Sequence, residues 1–169
     1  MNELPKRKSI RLKKYDYSQN GYYFITICTN NRECLFNIRT PQQLCNENLL
    51  SSDAMIEKWL LKLEKKFVDI KINEYVIMPN HIHFIIEKCS CNFDDNHANI
   101  QEIVAWFKTM TTNEYIKNVK QNIYKPFNKK LWQSSYYEHI IRNEHDYTQI
   151  AEYIRNNPFK WEEDTEFRP

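Results

Sequence analysis

Glycine occurs once in these 169 residues, at Gly21, so Asn20-Gly21 stands out as a turn signal. The five cysteines are an odd number at irregular spacing. Cys89-Ser90-Cys91 is too close for a typical structural zinc pair, and no second pair exists. They read as reduced thiols of a cytoplasmic protein. No stretch approaches the ~20 apolar residues of a membrane-spanning helix. The N-terminus is basic but lacks the apolar run of a signal peptide. Internal repeats and low-complexity segments are missing. Net charge is only +2, yet acids are scarce in two places. Lys6, Arg7, Lys8, Arg11, Lys13 and Lys14 crowd the first fourteen residues against Glu3 alone, and Lys117, Lys120, Lys125, Lys129 and Lys130 stand in a stretch with no acid. Such local patches attract polyanions even when net charge is small.

The chain length suits one domain with a sizeable core. Three regions are expected: a basic N-terminal arm (1–20), a domain (21–161) and an acidic tail (162–169). After the turn, Tyr22-Tyr23-Phe24-Ile25-Thr26-Ile27-Cys28 is rich in strand formers. Residues 32–50 are mixed, with a short strand or loop around Cys34-Leu35-Phe36. Met55, Trp59, Leu60, Leu63 and Phe67 recur at helical spacing, with Ser52 or Asp53 to cap the start. Strands follow at Ile70 to Met78 and His81 to Lys88, joined by Pro79-Asn80 as an antiparallel hairpin. A helix from Ala98 to Val119, a strand at Tyr136 to Ile141, and a helix from Glu144 to Asn156 capped by Asn143 complete the order β-α-β-β-α-β-α. That order predicts an α+β fold: a ferredoxin-like split β-α-β antiparallel sheet with two helices on one face. The last helix is then available to cover the other face.

His81-Ile82-His83 is the most informative run. Side chains alternate along a strand, so both imidazoles share one face while Ile82, Phe84 and Ile86 take the other. Two imidazoles are a partial coordination sphere for a divalent ion such as Mg²⁺ or Mn²⁺, which completes it with further ligands, water and phosphate oxygens. Tyr153 and Asn157 are four apart and share one side of the last helix. They could supply a nucleophile and a carbonyl oxygen together.

Plainer readings of the same residues stand beside this one. Paired strand histidines are often exposed or structural. A helix tyrosine usually packs, and Tyr147, Ile150 and Ile154 already form an apolar stripe with Tyr153 on its shoulder. Asn157 before Pro158 suits a helix cap, and the basic clusters suit solvated faces. Trp106, Phe107 and Trp132 are more often core than base-stacking platforms. Cross-strand pairing accounts for Tyr136 and Tyr137, and a strand hydrogen bond for His139.

The run Met78-Pro79-Asn80-His81-Ile82-His83 resembles the signature of the HUH single-strand DNA endonucleases. Trp132-Gln133-Ser134-Ser135-Tyr136-Tyr137-Glu138-His139-Ile140-Ile141-Arg142-Asn143-Glu144 and Tyr153-Ile154-Arg155-Asn156-Asn157-Pro158 resemble blocks of the single-tyrosine transposases. Arg7-Lys8-Ser9-Ile10-Arg11-Leu12, Tyr15-Asp16-Tyr17-Ser18-Gln19 and the first strand are similar to the start of the REP-associated tyrosine transposases. The likeness runs in order along nearly the whole chain. It departs at Lys13-Lys14, where many relatives have Lys-Gly, and in the partly acidic loop from Cys89 to Asn99.

The resemblance implies a ferredoxin-like fold, a divalent metal on His81, His83 and Asn157, and Tyr153 as nucleophile. It implies a single-strand DNA endonuclease and transposase, which cleaves and rejoins DNA beside REP-like hairpins through a covalent 5′-phosphotyrosine. A domesticated hairpin-binding protein without catalysis is the alternative, and a ferredoxin-like RNA-binding module a third reading. Single-stranded or hairpin DNA is the expected partner. The arm (Lys6, Arg7, Lys8, Arg11, Lys13, Lys14) and Lys125, Lys129 and Lys130 would contact it. The short link into the last helix favours a monomer acting in cis; dimeric relatives exist.

Overall fold

The computed structural model describes residues 19–41, 51–89 and 98–163. The apolar, β-branched runs form β1 (Gly21–Cys28), β2 (Ile70–Met78), β3 (His81–Lys88) and β4 (Tyr137–Ile141). Between them lie α1 (Ser52–Lys66) and α2 (Ile100–Lys120), and α3 (Glu144–Asn156) follows β4. The sheet order is β2-β3-β1-β4 and every pairing is antiparallel, which is the expected ferredoxin-like arrangement. The Pro79-Asn80 hairpin pairs Met78 with His81. Gly21 begins β1 at φ 150°, a region that side-chain-bearing residues rarely adopt.

Strand alternation sorts the sheet into two faces. Tyr23, Ile25, Ile27, Ile82, Phe84 and Ile86 pack beneath α1 and α2. Phe24, Val76, Met78, Ile85 and Ile141 form a second cluster under Ala151 and Ile154 of α3. α2 buries Ile100, Ile103, Val104, Phe107, Thr111 and Tyr115, a three-and-four spacing that sets one stripe on the sheet. A reciprocal capping box between Asn99 and Glu102 starts it. Phe107 and Trp132 are core residues, and Trp106 packs at the edge of that core. Burial of the whole helix face stabilises the layer; emptying one such aromatic site costs about 3–5 kcal/mol.

Local expectations differ at two places, the cap of α1 and the start of β4. Ser51, one residue earlier than expected, caps α1 by accepting from the Ala54 amide. The Asp53 carboxylate is committed elsewhere, to Asn37 at 3.0 Å and Arg39 at 3.2 Å. Of the short strand or loop expected after β1, the structure has a 3-10 turn (Asn30–Arg32) and a loop, in which Leu35 and Phe36 donate to one carbonyl, Pro79 O, and Arg39 bridges to β2 at Ile77. β4 begins at Tyr137, since Tyr136 turns toward Lys108. α3 ends at Asn156 as expected, and the chain continues as a 3-10 turn, Asn157–Glu163, in which Pro158 costs no α-helical bond. Residues 1–18 of the expected arm and 164–169 of the expected tail lie outside the described residues.

Candidate active site

β1 and β3 set the floor of the site. Register pairs Thr26 with His83 and Cys28 with His81, so these four side chains occupy one face. His81 and His83 are buried, with ring centroids 4.4 Å apart. Asn80 Oδ1 lies 2.8 Å from His81 Nδ1. An amide oxygen only accepts, so Nδ1 carries the proton and Nε2 presents its lone pair. Thr26 Oγ1 holds His83 Nδ1 at 2.8 Å. Burial first, then the neighbouring His81, then the Arg32 guanidinium, hold the His83 imidazole well below the usual histidine range. It is therefore neutral at physiological pH, the form in which imidazole ligates a metal.

α3 supplies the roof. Asn143 caps its start by accepting from the Asp146 amide, as the sequence indicates. His139 of β4 bonds Asp146 at 3.0 Å, and the Tyr147 ring meets Tyr22 edge-on at 5.2 Å. At the far end, Arg155 pairs with Glu74 of β2. Between these anchors, Tyr153 sets its Oη 3.2 Å from His83 Nε2. Its ring meets Phe24 edge-on, and Phe24 in turn stacks on His83 at 5.4 Å. Tyr153 as a whole remains 42% exposed. Asn157, one helical turn on, is 3% exposed and caps the helix C-terminus in right-handed conformation. The following turn lays Trp161 against His81, centroids 5.7 Å apart.

The structure thus brings together His81, His83 and Tyr153, with Asn157 buried where α3 ends. Among the described residues no group of three or more His, Cys, Asp or Glu could hold a metal. An amide oxygen, such as that of Asn157, is a donor of another type that a divalent ion could take beside the histidines. Two imidazoles and an amide oxygen fit a divalent ion that keeps water and phosphate oxygens in its remaining positions.

Lys125, Lys129 and Lys130 are exposed on the loop between α2 and β4. Tyr115 Oη donates to Lys125 O at 3.0 Å and anchors that loop. Its end docks on the end of β1, where Asn30 N donates to Leu131 O and Gln133 N to Cys28 O, each at 2.9 Å. The loop and α2 line an open groove of about 430 Å³, bordered by Lys108, Lys129, Lys130, Asn113 and Trp132 and, among the described residues, by no acid. Lys6, Arg7, Lys8, Arg11, Lys13 and Lys14 lie outside the described residues.

Four contributors escaped the sequence reading. Thr26 had a signal, a polar residue at period-two register in an apolar strand. So did Asn80, adjacent to His81 in the turn. Arg32, whose Nη1 donates to Cys28 Sγ at 2.9 Å, and Trp161 carried none.

The family described as IS200-like transposase matches residues 17–157. An uncharacterized protein of Haemophilus influenzae is 40% identical over 94% of this chain and 91% of its own length. The REP-associated tyrosine transposase of Escherichia coli K12 is 28% identical over 85% of this chain and 70% of its own. Among solved structures, a REP-associated tyrosine transposase bound to a REP hairpin superposes with a TM-score of 0.56 at 22% identity, covering 90% of this chain and 74% of that one, which shows a shared fold. No described helix is long and apolar enough to cross a membrane. The motifs, the sheet order and these matches agree, and the chain belongs to the IS200-like transposase family.

Proposed function

We propose that this transposase is a single-strand DNA endonuclease and strand transferase that cuts beside hairpins through Tyr153. The observation that carries the reading is the 3.2 Å approach of Tyr153 Oη to His83 Nε2, on a chain whose second histidine is 4.4 Å away. His81, His83 and Asn157 would hold a divalent ion, Mg²⁺ or Mn²⁺. Bound there, the ion would polarise a non-bridging phosphate oxygen and orient the phosphodiester for in-line attack.

The residues of the chain do the rest. Asn80 and Thr26 fix the two ring orientations, as the outer partners of metal-binding histidines commonly do. The Tyr153 hydrogen bond uses the same His83 nitrogen that would ligate the ion, so an ion held there would release the phenol from His83. Tyr153 Oη forms the bond to phosphorus as the bond from phosphorus to O3′ breaks. The 3′ oxygen gains the proton that the phenol loses. The covalent 5′-phosphotyrosine conserves the bond energy, and attack by a 3′ hydroxyl reverses the step and joins strands.

Hairpin DNA as partner is supported by the relatives named for REP sequences and by the solved complex with a REP hairpin. Exposed Lys125, Lys129 and Lys130 offer a backbone contact whose affinity falls with salt, and the arm residues Lys6 to Lys14 would add to it. Because Tyr153 reaches a histidine of its own chain, cleavage in cis by a monomer is the favoured arrangement.

Covalent capture tests the reading. Wild-type protein with a labelled hairpin oligonucleotide and Mn²⁺ should give a denaturation-resistant adduct, and Tyr153→Phe should bind the oligonucleotide without forming it. An adduct that persists in Tyr153→Phe names the wrong nucleophile. Binding with no adduct from wild type returns the protein to the class of hairpin-binding proteins without catalysis.

A further inference from the structure

Among the described residues, one corner of the histidine face is left open. α3 crosses the sheet diagonally, from His139 of β4 and Tyr22 of β1 at its start to Glu74 of β2 at its end. A diagonal helix shields the two corners it connects and leaves a third open. At that corner begins β4, with Tyr137. Register places Tyr137 beside Thr26 and Thr26 beside His83, so the three stand in one row across β4, β1 and β3. Neighbouring strands lie about 4.8 Å apart, so Tyr137 and His83 are separated by about 10 Å along the sheet, on the same face. The Tyr137 ring meets Phe24 edge-on at 6.2 Å, and Phe24 also contacts His83 and Tyr153. Phe24 is buried, whereas Tyr137 and Tyr153 keep 43% and 42% of their surface exposed at the two sides of the opening.

From this geometry we propose that Tyr137, backed by Phe24, is a stacking subsite for one unpaired nucleobase next to the scissile phosphate. The proposal rests on the endonuclease reading above and adds to it where the single strand lies. A phosphate at Tyr153 has its neighbouring nucleoside within reach of Tyr137, and the ring is held from behind by Phe24, so stacking requires little further ordering. Phosphate contacts alone would hold the strand without setting which nucleotide meets the nucleophile. A stacked base sets that register, and because every base has a π-face it does so for any base at that position.

The test uses the full chain in EDTA, so that no cutting occurs. Hairpins with a single-stranded extension carry 2-aminopurine at successive positions, and its fluorescence is quenched by stacking. One position should be quenched by wild type and by Tyr137→Phe but not by Tyr137→Ala. Affinity for the extended hairpin should fall about tenfold in Tyr137→Ala, the loss of one stacked base, while affinity for the hairpin without extension stays unchanged. Circular dichroism confirms that each variant is folded. Equal quenching by Tyr137→Ala, or equal loss for both oligonucleotides, overturns the subsite. Covalent capture reports separately on the endonuclease reading: a wild-type adduct with no Tyr137 effect sinks the subsite alone, and a Tyr137 effect with no adduct sinks catalysis alone.

Discussion

Replacing Thr26 by valine exchanges one buried hydroxyl for a methyl and removes the partner of His83 Nδ1, 2.8 Å away. Both residues are β-branched and suit an interior strand, so backbone and shape are conserved. The imidazole stays buried with one ring nitrogen unsatisfied, a loss of about 1–3 kcal/mol. In a domain of this size that lowers Tm by roughly 3–10 °C. The functional effect should exceed the structural one. Without Thr26 the ring loses the partner that orients it, and loss of such an outer partner typically costs about 10–100-fold in metal affinity or activity. Thr26→Ser is the control: it keeps the hydroxyl and removes one buried methyl, worth about 0.8 kcal/mol, so it should lose some stability and little adduct formation. Thermal unfolding and the rate of adduct formation with a labelled hairpin report the two quantities. If Thr26→Val forms adduct at the wild-type rate, or Thr26→Ser slows it as much as valine does, Thr26 does not orient His83.

Stability should also fall in mild acid. The unfolded His83 takes up a proton near pH 6.5 while the folded ring, buried beside His81, does not, so its contribution is complete above pH 6.5 and is lost below it by about 1.4 kcal/mol per pH unit until the folded value is reached; urea midpoints of wild type and His83→Gln between pH 7 and 5.5 measure the difference. Arg39→Ala strands the buried Asp53 and Glu57 carboxylates that Arg39 pairs with, at a cost of about 3–5 kcal/mol read from denaturant melts. Deleting residues 1–14 should weaken hairpin binding and flatten its salt dependence, with each lost phosphate contact reducing the log–log slope by about 0.9, as anisotropy titrations at several salt concentrations will show; an unchanged slope removes the arm from the interface.

Much of this was legible from pattern. Period-two apolar runs and three-and-four spacing gave strands and helices at nearly their observed bounds, and the β-α-β-β-α-β order carried the sheet topology. The histidine pair was readable because a strand fixes which side chains share a face. What joined it to Tyr153 was the likeness to a family, since nothing in local periodicity says which helix covers which face. Thr26 and Asn80 act through pairing register and a turn, which only tertiary structure brings to bear. Arg32 reaches Cys28 from a turn in which both Asn31 and Arg32 take positive φ, 55° and 58°, without glycine, so no residue type announced it. Ser51 displaced the expected caps because the Asp53 carboxylate serves Arg39, a partner fourteen residues away that composition does not reveal.

The contacts that close the site span long stretches of chain: Tyr153 to His83 is 70 residues and Arg155 to Glu74 is 81. Loop-closure entropy must be met before such contacts form, so they belong to the late part of folding. β1, β2 and β3 can pair and bury their common core before α3 has been synthesised, and both histidines are then in place without a nucleophile. Pulse-labelled hydrogen exchange should accordingly find α3 amides protected after those of β1 and β3; earlier protection of α3 would contradict this order. If Tyr153 is the nucleophile as proposed, a chain that stalls before its last helix docks holds its sheet without the means to cut DNA, and activity is coupled to completion of the fold.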